Sequence, residues 1–495
     1  MVQSTRSTYT VTDTEAVLTG IAPDGGLFTD PELGTERKKL SPAELKAYAA
    51  LSYPETAKKI MSELLPGFAD SMERIAAVYP EKFSASRITP VVKVGNDHVL
   101  ELYHGPTSAF KDVALSVLPL FLTEARKKLG IRKTVSVLTA TSGDTGKAAL
   151  EGFHDVEGTD ITVFFPESGV SAMQKMQMVT QEGKNVRVCA VRGNFDDCQR
   201  GVKDAFAEGT RSASDPESGD GKLLSSANSI NIGRLVPQVV YYFSAYSQLV
   251  SSGEISAGDD LDFIVPTGNF GDILAGYLAR QMGLPIGHLV CAANANNVLE
   301  DFLHTGIYDR RRAFVKTSSP SMDILVSSNL ERLLFYASDG DCALVSGLMQ
   351  QLKENGVYSL SGMPLQKIRQ VFSAGSCSEE DTRKTIRRIW KDSGWLCDPH
   401  TAVAFHVLEQ YQLSGEYTGN KCVVLSTASP FKFPAAVLSA LGETNSQGLS
   451  DFAMADLLAS VTGQEIPANL SALRTKPVLH TDVIRTEEIV RYALH

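Results

Sequence analysis

From residue 134 onward the chain repeats one pattern: a short, almost wholly apolar run, a turn, and a helical stretch. TVSVLTAT (134–141), ITVFF (161–165), VRVCAV (186–191), LDFIVP (261–266), GHLVCAA (287–293) and KCVVLST (421–427) are such runs. They are short and rich in β-branched residues, which reads as strand, not helix. A strand apolar on both faces must be covered on both, and the intervening helices supply that cover. The pattern therefore demands parallel-rich sheets flanked by helices, an α/β fold. Ligands of such sheets bind beyond the carboxyl ends of the strands, where helix N-termini present free N–H groups.

Around this core the chain divides into residues 1–97, an N-terminal unit with short helices near 42–64, and 98–440, an α/β core. Residues 441–495 read as a C-terminal helical extension. Within the core, 209–222 (GTRSASDPESGDGK) reads as a surface loop and 323–412 as mainly helical. The formal net charge is −10, without a run of Lys and Arg, which argues against nucleic acid and against an anionic membrane. An anionic ligand would have to be met by local donors. The seven cysteines lack a Cys-x-x-Cys pair and zinc-type spacing, so no metal is expected and a reduced, cytoplasmic setting fits. The longest near-apolar run, Val113 to Leu122, is about half of what spans a bilayer.

The stretch ELYHGPTSAFKDVALSVLPLFL (101–122) contains a chemical anomaly. At helical spacing Phe110, Val113, Ala114, Val117, Leu118 and Phe121 form one apolar face, and Lys111 shares its stripe with Ala114, Leu115 and Leu118. A lysine can lay its stem on such a surface and reach water. Alternatively a desolvated amine loses its proton easily and becomes a nucleophile.

Four stretches at strand ends bear on that choice. VLTATSGDTGKAAL leads a strand into Ser142, Gly143, Asp144 and Thr145 at a helix start, which suits a carboxylate or phosphate but also merely caps helices. LDFIVPTGNFGDILAGYLA carries Gly268-Asn269-Phe270-Gly271-Asp272 into a helix; its Gly-x-x-Gly lacks the dinucleotide and P-loop patterns and fits a small phosphate cup. SANSINIGRLVPQ groups Asn228, Ser229, Asn231 and Arg234, donors for a phosphate dianion or a capped helix with a surface arginine. LSTASPFKF places Ser426, Thr427 and Ser429 after a strand. One lysine in an apolar stripe with two phosphate-type cups points to a phosphate-bearing cofactor held through an imine, and pyridoxal 5'-phosphate is the natural candidate.

On these residues the chain resembles the threonine synthase family, in its longer form. HGPTSAFKDVAL (104–115) is similar to the family's lysine motif, and TATSGDTG (139–146), NSINIGR (228–234), PTGNFGD (266–272), DPHTA (398–402) and the opening AVLTGIAPDGGLF (16–28) follow in order. The resemblance implies a fold type II pyridoxal-phosphate enzyme with an additional N-terminal domain. It implies that O-phospho-L-homoserine and water become L-threonine and phosphate, with an elimination-only phospholyase as the alternative. By the same resemblance Lys111 carries the cofactor and shuttles the proton, beside Phe110. Asp144 lies near the cofactor's ring oxygen, Gly268 to Asp272 hold its phosphate, and Thr427 faces its ring nitrogen. Ser142 and Thr145 take the substrate carboxylate; Asn231 and Arg234, with Asn228 and Ser229, take the substrate phosphate. Thr427-Ala428-Ser429-Pro430 stands where many relatives have Thr-Ala-His-Pro. A monomer or homodimer is expected.

Overall fold

The computed structural model describes residues 1–34, 39–141, 143–168, 170–213, 222–446 and 448–494. The apolar runs form two sheets. In the first, Val135–Ala140, buried at all six positions, lies between Thr159–Pro166 and Leu223–Ser226. Val186–Arg192 continues outward, and every pairing in this sheet is parallel, with Val137 opposite both Ile161 and Ser225. In the second, Leu261–Pro266, again wholly buried, lies between Ile286–Ala293 and Lys421–Ser426 in parallel register. Phe372–Ser376 extends one side and Asp97–Glu101 the other, also parallel.

The segment Val91–Val94 pairs antiparallel with Asp97–Glu101 across a two-residue turn in which Gly95 has φ 61°, a left-handed value that glycine adopts without strain. This hairpin belongs to the second sheet, so a boundary at residue 97 cuts through it. Nor is the N-terminal unit a separate core. Its helices Pro42–Ala49 and Tyr53–Leu64 pack on the long helix Ile232–Ser251, and one continuous apolar core runs from Val2 to Leu425. Arg6 ties the N-terminal sheet to the helix Leu330–Ala337 by two hydrogen bonds to Glu331, 2.8 and 2.7 Å.

Three other expectations change. The C-terminal residues supply an edge strand, Asp482–Arg485, parallel to Val186–Arg192, and are not only helical. Residues 209–213 continue the helix Phe195–Ala213, while 214–221 lie outside the described residues. The stripe after Phe110 splits into Lys111–Leu115 and Leu118–Lys128, with Pro119 in the first turn of the second helix, where its missing N–H costs nothing. No helix among the described residues is long and apolar enough to cross a membrane, and no cluster of three His, Cys, Asp or Glu there suits a metal.

Candidate active site

Loops following the carboxyl ends of strands from both sheets meet around Lys111. The segment before it is docked onto the end of strand Lys421–Ser426: the Phe110 N–H donates to Thr427 O (2.8 Å), and the Ser429 N–H to Ser108 O (3.1 Å). Asp112 is buried and accepts from the Thr107 N–H (2.8 Å) and hydroxyl (2.5 Å), which closes the loop under the lysine. Burial raises the Asp112 carboxyl to about 6, against these hydrogen bonds. Lys111 Nζ lies 5.6 Å from the Phe110 ring centroid and 3.5 Å from Ser321 Oγ. Desolvation brings this amine down to about 8; Asp144 opposes the shift, and the nearby cations of Arg234 and Lys432 add to it. The residue nevertheless keeps part of its surface exposed.

Asp144 opens the helix Asp144–Phe153 and is itself buried. Burial alone would raise its carboxyl, but Lys432 and Lys111 outweigh that and hold it far below the usual range. It is therefore a carboxylate, 2.7 Å from Lys432 Nζ and accepting from Gln174 Nε2 at 3.0 Å. Lys432 has no exposed surface and also donates to Thr107 O (2.9 Å). Gly143, with φ 152°, lies where a Cβ would strike the Gln174 amide at 2.4 Å; only glycine fits there. Ser142 lies outside the described residues. Thr145 is partly exposed on the same helix start.

Two separate groups of donors that could each hold an anion flank the lysine. The first is the loop Gly268 to Asp272 at the start of helix Gly271–Gln281. Among the described residues, none of its backbone N–H groups donates to a protein acceptor. Phe270 adopts φ 63°, which aims these groups together while its ring packs on Phe372 at 5.6 Å. Asn269 is held by its carbonyl, which accepts from Asn329 N and Nδ2, both at 3.0 Å. The Asp272 carboxylate faces Tyr241 and Tyr242, whose hydroxyls donate to it, and burial raises it to about 7; what this position offers a phosphate is its N–H. A Cβ on Gly268 would meet Ser321 O at 2.7 Å, whereas one on Gly271 would meet nothing nearer than 3.5 Å. A side chain at Gly268 would therefore clash, whereas Gly271 has room beside Ser229 and Asn329.

The second cup contains Arg234. It is 3% exposed, has no ion-pair partner among the described residues, and its Nε finds no acceptor. Desolvation brings the guanidinium down to about 10, a cation poised for an anion. Nη1 donates to Ala227 O, and the amide oxygen of the next residue, Asn228, is buried and also unpartnered among the described residues. Ser229 Oγ accepts from Asn329 Nδ2 (3.1 Å), which links the two cups. Asn231 does not match its expected role. Its Nδ2 donates to Val17 O (2.9 Å) and Ser226 O (3.1 Å), and its Oδ1 caps the helix by accepting from Gly233 N. With both amide hydrogens committed to carbonyls, Asn231 shapes the cup from behind.

Ser321, Asn329 and Lys432 escaped the sequence reading. Ser321 lies in the short turn of 3-10 helix Pro320–Met322 and Asn329 at the start of helix Leu330–Ala337, in stretches of no recognisable motif. Lys432 carried a signal of its own, a lysine between apolar residues (Phe431, Phe433). The residues present suit pyridoxal phosphate: a deprotonatable amine, an orphaned set of N–H groups for its phosphate, a carboxylate beside the amine, and the Thr427 hydroxyl, which makes no hydrogen bond within the described residues.

Comparison with known proteins agrees. A family model described as pyridoxal-phosphate dependent enzyme matches residues 87–428, one described as threonine synthase N terminus matches 2–74, and one described as threonine synthase, C-terminal matches 401–492. Threonine synthase-like 1 of Macaca fascicularis is 40% identical over 440 residues; the match covers 86% of this chain but only 58% of that relative's length. Threonine synthase of Pseudomonas aeruginosa is 39% identical over 431 residues, 86% of either chain. The crystal structure of a pyridoxal-phosphate-bound threonine synthase from Brucella melitensis superposes with a TM-score of 0.84 at 38% identity, covering 100% of this chain and 99% of that one.

Proposed function

This chain belongs to the threonine synthase family of pyridoxal-phosphate-dependent enzymes, and from that premise we propose that it converts O-phospho-L-homoserine and water into L-threonine and phosphate. One observation carries the reading: a single lysine amine, brought down to about 8, lies between two separate anion cups. A cofactor phosphate needs one cup, and a substrate with its own phosphate needs the other.

Lys111, Phe110, Asp144, Thr427 and the N–H groups of Gly268 to Asp272 would hold the cofactor. When bound, it supplies an electron sink for carbanions next to the amino group. Everything else is done by the chain. The Lys111 amine, neutral in an appreciable fraction near pH 8, takes and returns protons along the substrate's carbon chain. Asp144 remains ionised because Lys432 pairs with it, which keeps a negative charge beside the amine. Arg234, with Asn228 and Ser229 nearby, binds the substrate phosphate and stabilises the charge it gains on leaving. Thr145, at the helix start, and Ser142 receive the substrate carboxylate. Thr427 offers a neutral hydroxyl to the ring nitrogen. The released phosphate and the added water hydroxyl balance the reaction.

The test is phosphate release from O-phospho-L-homoserine with the organic product identified. L-threonine supports the proposal. A keto acid with ammonia supports the phospholyase alternative, favoured by the identity to relatives named threonine synthase-like. No phosphate release with cofactor bound overturns both.

A further inference from the structure

The motif DPHTA has no part in the chemistry above, yet its His400 contacts Ser321, a neighbour of Lys111. Asp398 caps the helix Pro399–Leu413: its carboxylate accepts the His400 N–H (2.9 Å) and the Thr401 hydroxyl. It also lies 2.6 Å from His400 Nδ1. The other ring nitrogen, Nε2, is 3.2 Å from the backbone nitrogen of Ser321. A backbone N–H can only donate, so Nε2 must hold its lone pair and the ring proton must sit on Nδ1, facing Asp398. Both side chains are sealed from solvent, His400 at 2% and Asp398 at 0% exposed, and the Phe433 ring closes the imidazole edge at 5.0 Å.

The residue held in this way touches three parts of the site at once. Ser321 Oγ is 3.5 Å from Lys111 Nζ and 3.5 Å from Asp144 Oδ2. Its carbonyl is the atom that excludes any side chain at Gly268. A shift of this one residue therefore moves the amine's neighbour, the carboxylate's neighbour and the first phosphate cup together.

We infer that Asp398 and His400 are positioning residues of the active site, a buried dyad whose fixed tautomer holds Ser321 against Lys111 and the Gly268 loop. The inference rests on Lys111 being the cofactor-bearing lysine. A histidine that only filled space would need the right volume; the dyad needs an acceptor at Nε2. Glutamine places an oxygen near that position, asparagine is too short to reach Ser321, and leucine has no acceptor.

The full-length protein is compared with H400Q, H400N and H400L by melting temperature of the cofactor-free form, rate of reloading with pyridoxal phosphate, and kcat and KM for phosphate release. H400N and H400L are expected to reload more slowly and to lose about 10- to 100-fold in kcat, with KM little changed. H400Q is expected to recover most of both at a similar melting temperature. Equal impairment of H400Q and H400N, or wild-type reloading by H400L, overturns the inference. If H400L fails to fold, H400Q against H400N still decides it. A wild-type protein whose Lys111 takes up no cofactor overturns the function itself, a result that the variants cannot imitate.

Discussion

Replacing Arg234 with methionine should make the protein more stable and far less active. The guanidinium is buried in helix Ile232–Ser251 without a carboxylate partner among the described residues, and desolvation brings it down to about 10. Against an ordinary arginine, that corresponds to disfavouring the cation by roughly 3 kcal/mol. The sign follows: the folded protein binds this proton less tightly than the unfolded chain, so the penalty is present at every pH below about 10. Methionine keeps the stem and removes the charge, but loses the bond to Ala227 O, which costs about 1–2 kcal/mol. The net gain is about 1–2 kcal/mol, a melting temperature higher by a few degrees. Activity moves the other way, because the fork that meets the leaving phosphate is gone. A loss of about 2–4 kcal/mol of transition-state binding is roughly 30- to 900-fold in kcat/KM. The assay is calorimetry of the cofactor-loaded enzyme, whose first cup is filled, with and without inorganic phosphate. Wild type should be stabilised by phosphate and the variant should not. A variant that melts lower and is stabilised by phosphate as wild type is would refute the reasoning, and would mean that Arg234 is structural.

Lys111→Ala should keep the fold and gain slightly in stability, while threonine formation disappears; measurable turnover by that variant would remove Lys111 from its role. Uptake of pyridoxal phosphate by the cofactor-free protein should accelerate through pH 8 and then level off, since only the neutral amine attacks an aldehyde. The folded state disfavours that ammonium, so stability should also rise from about pH 8 toward the ordinary lysine value; a flat uptake profile between pH 7 and 9 argues against a desolvated amine. Gly268→Ala should lower both melting temperature and cofactor retention, because its Cβ meets Ser321 O at 2.7 Å. Gly271→Ala has room, so its melting temperature should hold, and any loss of retention then reports the phosphate; unchanged retention would assign that loop another task.

Some of this was written into the sequence because its causes are local. Val135–Ala140 and Leu261–Pro266 are apolar at most positions and carry no polar face, so each must be an interior strand. Lys111 in its stripe and the turns at Gly143 and Gly268 are legible for the same reason: the conflict or the glycine is visible within a few residues. The tertiary structure decided what depends on distant partners. Asp482–Arg485, a short and mostly exposed edge strand, shows no period of its own and exists only because Val186–Arg192 offers an open edge. Asn231 reads as a ligand donor until Val17, 214 residues away in sequence, takes one of its hydrogens. Asp144 could be assigned a charge only once Lys432 lay beside it, and Ser321 a place in the site only once His400 and Lys111 closed on it from opposite sides of the chain. The charge and reach of a side chain are set by what surrounds it, and in a parallel α/β fold those surroundings are assembled by crossovers that bring residues hundreds of positions apart to the same ends of the strands.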